Sequence, residues 1–398
     1  MISMKSFINL TINKQVVIFL ILITTFSQLF KFHSFFLEYS AWQYAVWVIN
    51  YQGGFVRRGF IWEILFIIHQ LFSINLDLLV LFLVSSIIIL ISILLIKSLK
   101  YLGNSYINYL ILLSPGFFLY SLMNSEIVGR KDILFIALIG SFVFLEKKLS
   151  RNLLTTYLIL SIFVTSLSHS GLIFYAPYII SLYLLIFIQR GYAVSITEML
   201  AISSSMFIIV LLIFFNQGTQ QQVLEICGSI KDFINENCKD YGQISWIGND
   251  MKDYFFEKRS IGINFFKSFI IYLISIIFVH LFLFIKLSKI TISTKFSFFK
   301  KFNIKIFVVL LFLLTLPAYV FGLDWGRYIY ISYSSIFFIF IYCLKEKIFL
   351  SNFDFKLSKF LSLILIFVYS FCWTFPFYNA EVFKLPLKKP IQRILKFF

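Results

Sequence analysis

Apolar runs recur along the whole chain, and short polar clusters separate them. A helix that crosses a bilayer needs roughly 20 consecutive apolar residues, so the pattern predicts an all-α, polytopic membrane protein with about ten to twelve transmembrane helices. A membrane β-barrel would instead show short segments of alternating polarity. The predicted spans are residues 15–31, 77–97, 105–123, 132–146, 152–168, 170–188, 197–215, 264–286, 305–322, 328–344 and 360–376.

The segment 61–74 allows two topologies. It is apolar but short, and it contains Glu63, His69 and Gln70. If it crosses the membrane, the basic loops that follow lie outside; if it lies at the surface, they lie in the cytoplasm. The positive-inside rule favours the second arrangement. We therefore predict a cytoplasmic N-terminus, a first periplasmic loop of residues 31–74 with helices parallel to the membrane, and a large periplasmic loop of residues 216–262.

The chain is 60% hydrophobic and carries a net charge of +17. In a soluble protein this charge would suggest a nucleic-acid partner. Here Lys and Arg in cytoplasmic loops account for most of it, so no nucleic-acid partner is predicted. The bulk pattern predicts one integral membrane domain over residues 1–398.

The large loop 216–262 concentrates acidic residues and also holds Cys227 and Cys238. Two cysteines in one extracytoplasmic loop of a Cys-poor chain predict a disulfide in an oxidising compartment. Two free thiols are the alternative. Cys343 and Cys372 fall in predicted spans and are interpreted as packing residues.

Four further polar clusters fall at predicted outer ends of spans, where topology does not explain their charges. They are the 31–60 loop, with Glu38, Asn50 and the stretch YQGGFVRRGF at 51–60, and residues 124–132 (NSEIVGRKD), 168–171 (SHSG) and 323–328 (LDWGRY). Ionisable groups at the membrane edge are costly and are functional candidates by default. Arginine presents a fork of donors that matches phosphate oxygens, and the Gly53–Gly54 pair permits a tight turn and close backbone approach.

Together the clusters predict an outer-face site for a lipid-linked phosphosugar. The residues predicted to bind the diphosphate are Arg57, Arg58, Arg130, Lys131 and Arg327. The candidate catalytic bases are Asp324, Asp132 and His169. Contacts with the glycan are predicted for Trp47, Tyr51, Glu126, Trp325 and Tyr328, whose aromatic members offer flat stacking faces.

Each cluster also has a structural interpretation. Arg57 and Arg58 could anchor the chain by reaching lipid phosphates. Asp324 and Arg327, three residues apart, could simply pair with each other. Residues 130–132 could form a helix cap with a local ion pair, and His169 could be a satisfied buried histidine.

Several classes of site lack their motifs. The chain has no GxxxxGK[ST] phosphate loop, no HExxH or clustered His/Cys pattern, and no GxSxG elbow. No ATP-driven engine, zinc site or metal is therefore predicted, and no cofactor is implied.

The order of a first span, an outer loop with short surface helices and many further spans resembles the GT-C class of polytopic glycosyltransferases. The whole-chain profile, with one large periplasmic loop, is similar to that of Wzy-type polymerases of O-antigen and capsule repeat units. This resemblance implies a GT-C-like fold in the bacterial inner membrane and periplasmic arginines that handle an undecaprenyl diphosphate-linked glycan. It also implies a possible chain-length regulator as a partner.

Three alternatives stay open at this stage. One is a GT-C enzyme that transfers a single sugar from a polyprenyl-linked donor. Another is a transporter or flippase of lipid-linked glycans, in which charges should follow a path through both leaflets. The third is a structural membrane subunit, in which the polar clusters would be partner contacts.

Overall fold

The computed structural model describes residues 14–38, 42–231, 244–248, 262–293, 303–322, 324–349 and 358–377. Within these residues every regular element is helical, apart from one isolated β-bridge between Ile292 and Phe349. Six helices in this part of the chain are long and apolar enough to cross a membrane, which confirms a polytopic helical protein. They are Lys14–Leu37, Leu76–Leu102, Ser170–Gln189, Ile196–Phe215, Ser268–Ser288 and Trp325–Lys345.

The chain forms two compact units that interleave along the sequence. The first unit comprises Met1–Ser27, Ser92–Glu126 and Ile263–Phe398, and the second comprises Gln28–Ile91 and Ile127–Gly262. In chain order the α-helices are α1 (Lys14–Glu38), α2 (Trp42–Ala45), α3 (Phe60–Phe72), α4 (Leu76–Leu102), α5 (Tyr106–Leu112), α6 (Tyr120–Met123), α7 (Asp132–Leu145), α8 (Arg151–Ser168), α9 (Ala176–Gln189), α10 (Ile196–Phe215), α11 (Gln220–Ile230), α12 (Gly262–Ser288), α13 (Ile304–Leu313), α14 (Leu316–Phe321), α15 (Trp325–Lys345) and α16 (Lys359–Phe371). Short 3-10 helices cover Ser125–Ile127, Glu146–Lys148, Ser170–Tyr175 and Ser245–Ile247.

The predicted continuous span 105–123 is wrong. Helix α5 ends at Leu112, and α6 begins only at Tyr120. The break includes Pro115, which has no N–H for a helical hydrogen bond. Broken helices persist in membranes only where other groups satisfy the freed carbonyls, and here the hydroxyl of Tyr333 donates to the carbonyl of Ile111 at 2.7 Å. The first span is also longer than predicted, because α1 continues as a helix to Glu38.

Helix α3 occupies the ambiguous segment 61–74. Its 13 residues extend about 20 Å, which is shorter than the bilayer core. It buries Ile61, Trp62 and Leu65, while Ile67 and Leu71 on another face are exposed. A short helix with two apolar faces suits a position at the membrane surface, as the charge pattern predicts.

The core of the second unit surrounds two tryptophans. Trp47 and Trp62 are fully buried, and they share a hydrophobic cluster with Val223, Ile226 and Ile230 on one face of α11. Helix α11 is therefore an amphipathic helix packed onto the segment that contains Trp47. Its start is fixed by a capping box formed by Thr219 and Gln222.

The core of the first unit surrounds α15, which is buried along almost its whole length. The ring of Phe117 lies 4.4 Å from the ring of Phe337, measured between centroids. The hydroxyls of Ser334 and Ser335 donate to the carbonyls four residues earlier at 2.7 Å. Serine hydroxyls that donate to carbonyls of their own helix leave no unpaired donor, so they suit the interior of a membrane helix bundle.

Two ion pairs join helix ends in the second unit. Arg190 binds Glu146 at 2.8 Å and also donates to the carbonyl of Leu149 at 2.9 Å, and the side chain of Glu146 is only 3% exposed. Arg151 binds both carboxylate oxygens of Glu198 at 2.8 Å, but its side chain is 41% exposed. Removing one partner of a buried pair leaves an uncompensated charge, whereas exposed pairs contribute little.

We expect Arg190→Ala to lower the free energy of unfolding by about 3 kcal/mol, because Glu146 would stay buried without its partner. Arg151→Ala is the matched control, and its effect should be clearly smaller. Thermal unfolding of the purified protein in detergent measures both. Equal shifts in the two variants would contradict the assignment of Arg190–Glu146 as the structural pair.

Candidate functional site

The arginine segment 51–60 is a loop of the second unit that ends where α3 begins. The first turn of α3 presents Glu63, whose carboxylate accepts a hydrogen bond from the backbone N–H of Tyr51 at 3.1 Å. The side chain of Gln52 donates to the same carboxylate at 3.4 Å. Glu63 thus holds the beginning of the loop against the helix that follows it.

The Gly53–Gly54 turn packs against α11. A Cβ atom on Gly53 would lie 2.9 Å from the carbonyl oxygen of Gln222, and Gly54 has a φ angle of +99°. Nearby, the side chain of Asn50 donates to the hydroxyl of Ser229 at 2.9 Å. The close backbone approach predicted for the glycines is therefore an approach to this protein's own helix.

Arg57 is a buried cation. It is 4% exposed, and its backbone N–H donates to the carbonyl of Asn216 at 3.1 Å. Its Nε atom is buried and has no hydrogen-bond acceptor among the described residues. Burial lowers the pKa of the guanidinium, and no carboxylate among the described residues offsets that effect.

The turn at residues 127–132 brings two more predicted cations to the same loop. Lys131 is 1% exposed, and its Nζ atom donates to the carbonyl of Arg58 at 2.8 Å. Trp47 donates from Nε1 to the carbonyl of Gly129 at 2.6 Å. Arg130 is 7% exposed in this turn, so four of the predicted phosphate-binding cations lie in one loop and one turn that Lys131 connects.

Two of the candidate bases also lie in the second unit. Asp132 is fully buried and begins α7, directly after Lys131. His169 caps the 3-10 helix Ser170–Tyr175, where its Nδ1 atom accepts a hydrogen bond from the backbone N–H of Gly171 at 3.2 Å. The capping bond occupies one of the two ring nitrogens of His169.

The cluster at 323–328 belongs to the first unit and is tightly packed. Arg327 pairs with Asp324 at 3.2 Å, which is the local pair foreseen as an alternative. Trp325 donates from Nε1 to the carbonyls of Tyr319 and Gly322, both at 2.9 Å. A Cβ atom on Gly326 would lie 2.1 Å from the carbonyl oxygen of Pro376, so this motif has a structural role.

The remaining predicted residues of the first unit lie near this motif. The ring of Tyr328 packs edge-on against Tyr319 with centroids 5.2 Å apart. The hydroxyl of Tyr120 lies within electrostatic range of the carboxylates of Glu126 and Asp324. The predicted site residues therefore form two sets. The second unit holds Trp47, Tyr51, Arg57, Arg58, Arg130, Lys131, Asp132 and His169, and the first holds Glu126, Asp324, Trp325, Arg327 and Tyr328.

Cys227 lies on α11 and is disulfide-bonded. Cys238, its predicted partner, lies outside the described residues. Cys343 and Cys372 carry free thiols. A disulfide on α11 restrains the helix that packs against the Gly53–Gly54 turn.

Three residues that support the arginine loop were not identified as such from the sequence. Glu63 was noted only as a polar residue in an apolar segment, although an acid in the first turn of a helix is a recognisable stabilising signal. Asn216 and Gln222 act through backbone carbonyls, for which side-chain chemistry gives no signal. Among the described residues, no group of three or more His, Cys, Asp and Glu side chains could hold a metal ion.

No protein-family model matches the chain, and neither the curated proteins nor the solved structures include a significant match. The arginine loop combines a buried arginine with neutral carbonyl supports, an arrangement suited to receiving an anion.

We expect Gly53→Ala to destabilise the protein by about 1–3 kcal/mol, because the new methyl group would press on the backbone of α11. Gly228→Ala on the same helix is the control, since a Cβ atom there meets nothing within 4 Å. The control should be neutral or slightly stabilising, because Ala favours a helix. Thermal unfolding in detergent compares them, and equal stability of the two variants would show that the loop does not depend on this contact.

Proposed function

We propose that the protein is a GT-C-like glycosyltransferase of the bacterial inner membrane. It polymerises undecaprenyl diphosphate-linked oligosaccharide repeat units of O-antigen or capsule, with the site facing the periplasm. The single observation that carries the proposal is the buried Arg57, next to Arg58 in the chain, whose guanidinium has no carboxylate partner among the described residues and whose Nε atom has no acceptor there. A buried cation of this kind requires an anion, and a lipid-linked diphosphate brings one.

The chemistry follows from where charge develops. The hydroxyl at the non-reducing end of one glycan attacks the anomeric carbon of another, the bond to the diphosphate oxygen breaks, and the diphosphate leaves with an additional negative charge. Arg57, Arg58 and Arg130 stabilise that charge in the transition state. Because these guanidinium groups lie in a poorly solvated loop, their interaction with the diphosphate is stronger than it would be in water.

Among the candidate bases, Asp132 is the one whose turn also carries Arg130 and Lys131. It takes the proton of the acceptor hydroxyl in this proposal. Asp324 is engaged by Arg327, and His169 uses one nitrogen as a helix cap. Trp47 is fully buried in the core, whereas Tyr51, at the beginning of the loop, remains partly exposed.

The decisive test is glycan chain length in a strain of the native host that lacks the gene. The strain is complemented with wild type, Arg57→Gln or the control Lys148→Gln, whose side chain is exposed, and expression is verified by immunoblot. We expect the deletion to leave single repeat units on the lipid acceptor. Arg57→Gln should lower polymerisation by about 100-fold, as loss of one transition-state donor does, while the control restores full length.

Other outcomes identify the alternatives. A glycan that lacks one sugar would make the protein a single-sugar transferase. Lipid-linked units retained in the cytoplasmic leaflet would make it a transporter. Full-length polymer in the deletion strain would refute the proposed function, and full-length polymer with Arg57→Gln would return Arg57 to a structural role.

A further inference from the structure

Lys131 differs from its cationic neighbours in what it contacts. It is 1% exposed, and its Nζ atom donates to the backbone carbonyl of Arg58 at 2.8 Å. The same atom lies 6.0 Å from the centroid of the Trp47 ring, within range of a cation–π interaction. The ammonium group thus contacts the end of the arginine loop, through Arg58, and Trp47, which lies four residues before the loop.

We infer that Lys131 is a positioning residue that fixes the conformation of the arginine loop through the carbonyl of Arg58 and does not itself bind phosphate. The inference deepens the proposed function and rests on it for its consequence, namely that phosphate binding requires an ordered loop. That Lys131 fixes the loop is inferred from its bond to the carbonyl of Arg58 and does not depend on which ligand binds.

The loop is closed at both ends on one short turn. Trp47, four residues before the loop, donates from Nε1 to the carbonyl of Gly129 at 2.6 Å. The carbonyl of Arg58, at its end, accepts from Lys131 at 2.8 Å. Residues 48–57 therefore lie between two anchored residues, Trp47 and Arg58. Both anchors are on the 127–132 turn, at Gly129 and Lys131.

Further contacts between these two anchors, within residues 48–57, set the shape of the loop. The Gly53–Gly54 turn packs on α11, and the N–H of Arg57 donates to the carbonyl of Asn216 at 3.1 Å. The bond from Lys131 acts on the carbonyl of Arg58, in the peptide that joins Arg58 to Gly59. Its loss would loosen the arginine end of the loop while the contacts with α11 and Asn216 stayed in place.

The chemistry of a lysine suits this role. A long apolar stem lets Lys131 cross the core and deliver one donor to a carbonyl, and the pKa of its amine is lowered by burial and by the charge of Arg58. An amine that loses its proton easily still donates to a carbonyl, but it is a weak partner for a phosphate. The guanidinium groups keep their charge in the same surroundings.

Limited trypsin digestion tests the inference, because trypsin cuts after arginine only where the chain can leave its folded path. The full-length protein in detergent, without ligand, is compared as wild type, Lys131→Met, Lys131→Gln and the control Lys148→Met. Met keeps the length and apolar stem without the donor, whereas Gln keeps an uncharged donor. Mass spectrometry quantifies new ends after Arg57 and Arg58 relative to cleavage elsewhere.

We expect cleavage after Arg57 and Arg58 to rise at least tenfold in Lys131→Met, with other sites and the control unchanged. Lys131→Gln should restore at least half of the protection, which a role based on charge does not predict. Equal cleavage in wild type and Lys131→Met would overturn the inference. So would a uniform loss of protection along the chain, because Lys131 would then be a general core residue.

Inorganic diphosphate binding, measured by calorimetry on the same proteins, separates the inference from the proposed function. If Lys131 acts by position, Lys131→Gln should bind the diphosphate more tightly than Lys131→Met. Equal loss of affinity in both variants would make Lys131 a direct phosphate ligand and overturn the inference. If wild type does not bind diphosphate while the digestion result holds, the proposed ligand is wrong and the positioning role of Lys131 stands.

Discussion

The burial of the Arg57 guanidinium is the constraint around which the second unit is organised. A charged group taken out of water loses several kilocalories per mole of solvation unless other groups compensate it. The surrounding chain supplies mostly neutral groups: the carbonyl of Asn216 binds the backbone of Arg57, and the carbonyl of Arg58 receives Lys131. Such supports fix the position of the cation without cancelling its charge. In the proposed function, a bound anion would offset the cost of burying this charge.

Arg327 is also buried, but its guanidinium is paired with a carboxylate. It lies in the first turn of α15, where the helix dipole disfavours a positive charge, and it is 5% exposed. Asp324 pairs with it at 3.2 Å, and the packed glycine and tryptophan beside it leave the motif little freedom. A paired arginine already has its preferred anion. Of the two arginines, Arg57 is therefore the better candidate for a phosphate, and Arg327 is better explained as part of the scaffold.

The sequence was sufficient for those features that depend on local composition. Long apolar runs predicted a polytopic helical protein, and the segment 61–74, interpreted as a surface helix, forms a helix of only 13 residues. The break between α5 and α6 was missed because apolar composition outweighed Pro115 in the interpretation. The extension of α1 to Glu38 was missed because its last two turns contain Lys31 and His33, which suggest a loop when neighbours are unknown.

The arrangement of the site depends on contacts between distant segments, and residue types alone do not reveal them. Arg57 and Arg58 are recognisable as cations, but the buried position of Arg57 involves a contact with Asn216, some 160 residues further along the chain. In the sequence, Lys131 looks like one more phosphate ligand beside the arginines. The bond to the carbonyl of Arg58 is what identifies it as a residue that positions the loop.

A lysine is retained at this position at a cost. Burying an amine next to the positive charge of Arg58 destabilises the folded protein, and an apolar residue of similar length would often be more stable in such a core. The contact with Trp47 and the bond to Arg58 offset part of that cost. The remaining penalty is understandable if the loop must hold two guanidinium groups in one orientation before the ligand arrives. Order of that kind matters most where charge develops during a reaction, because groups that are already oriented need not reorganise as the barrier is crossed.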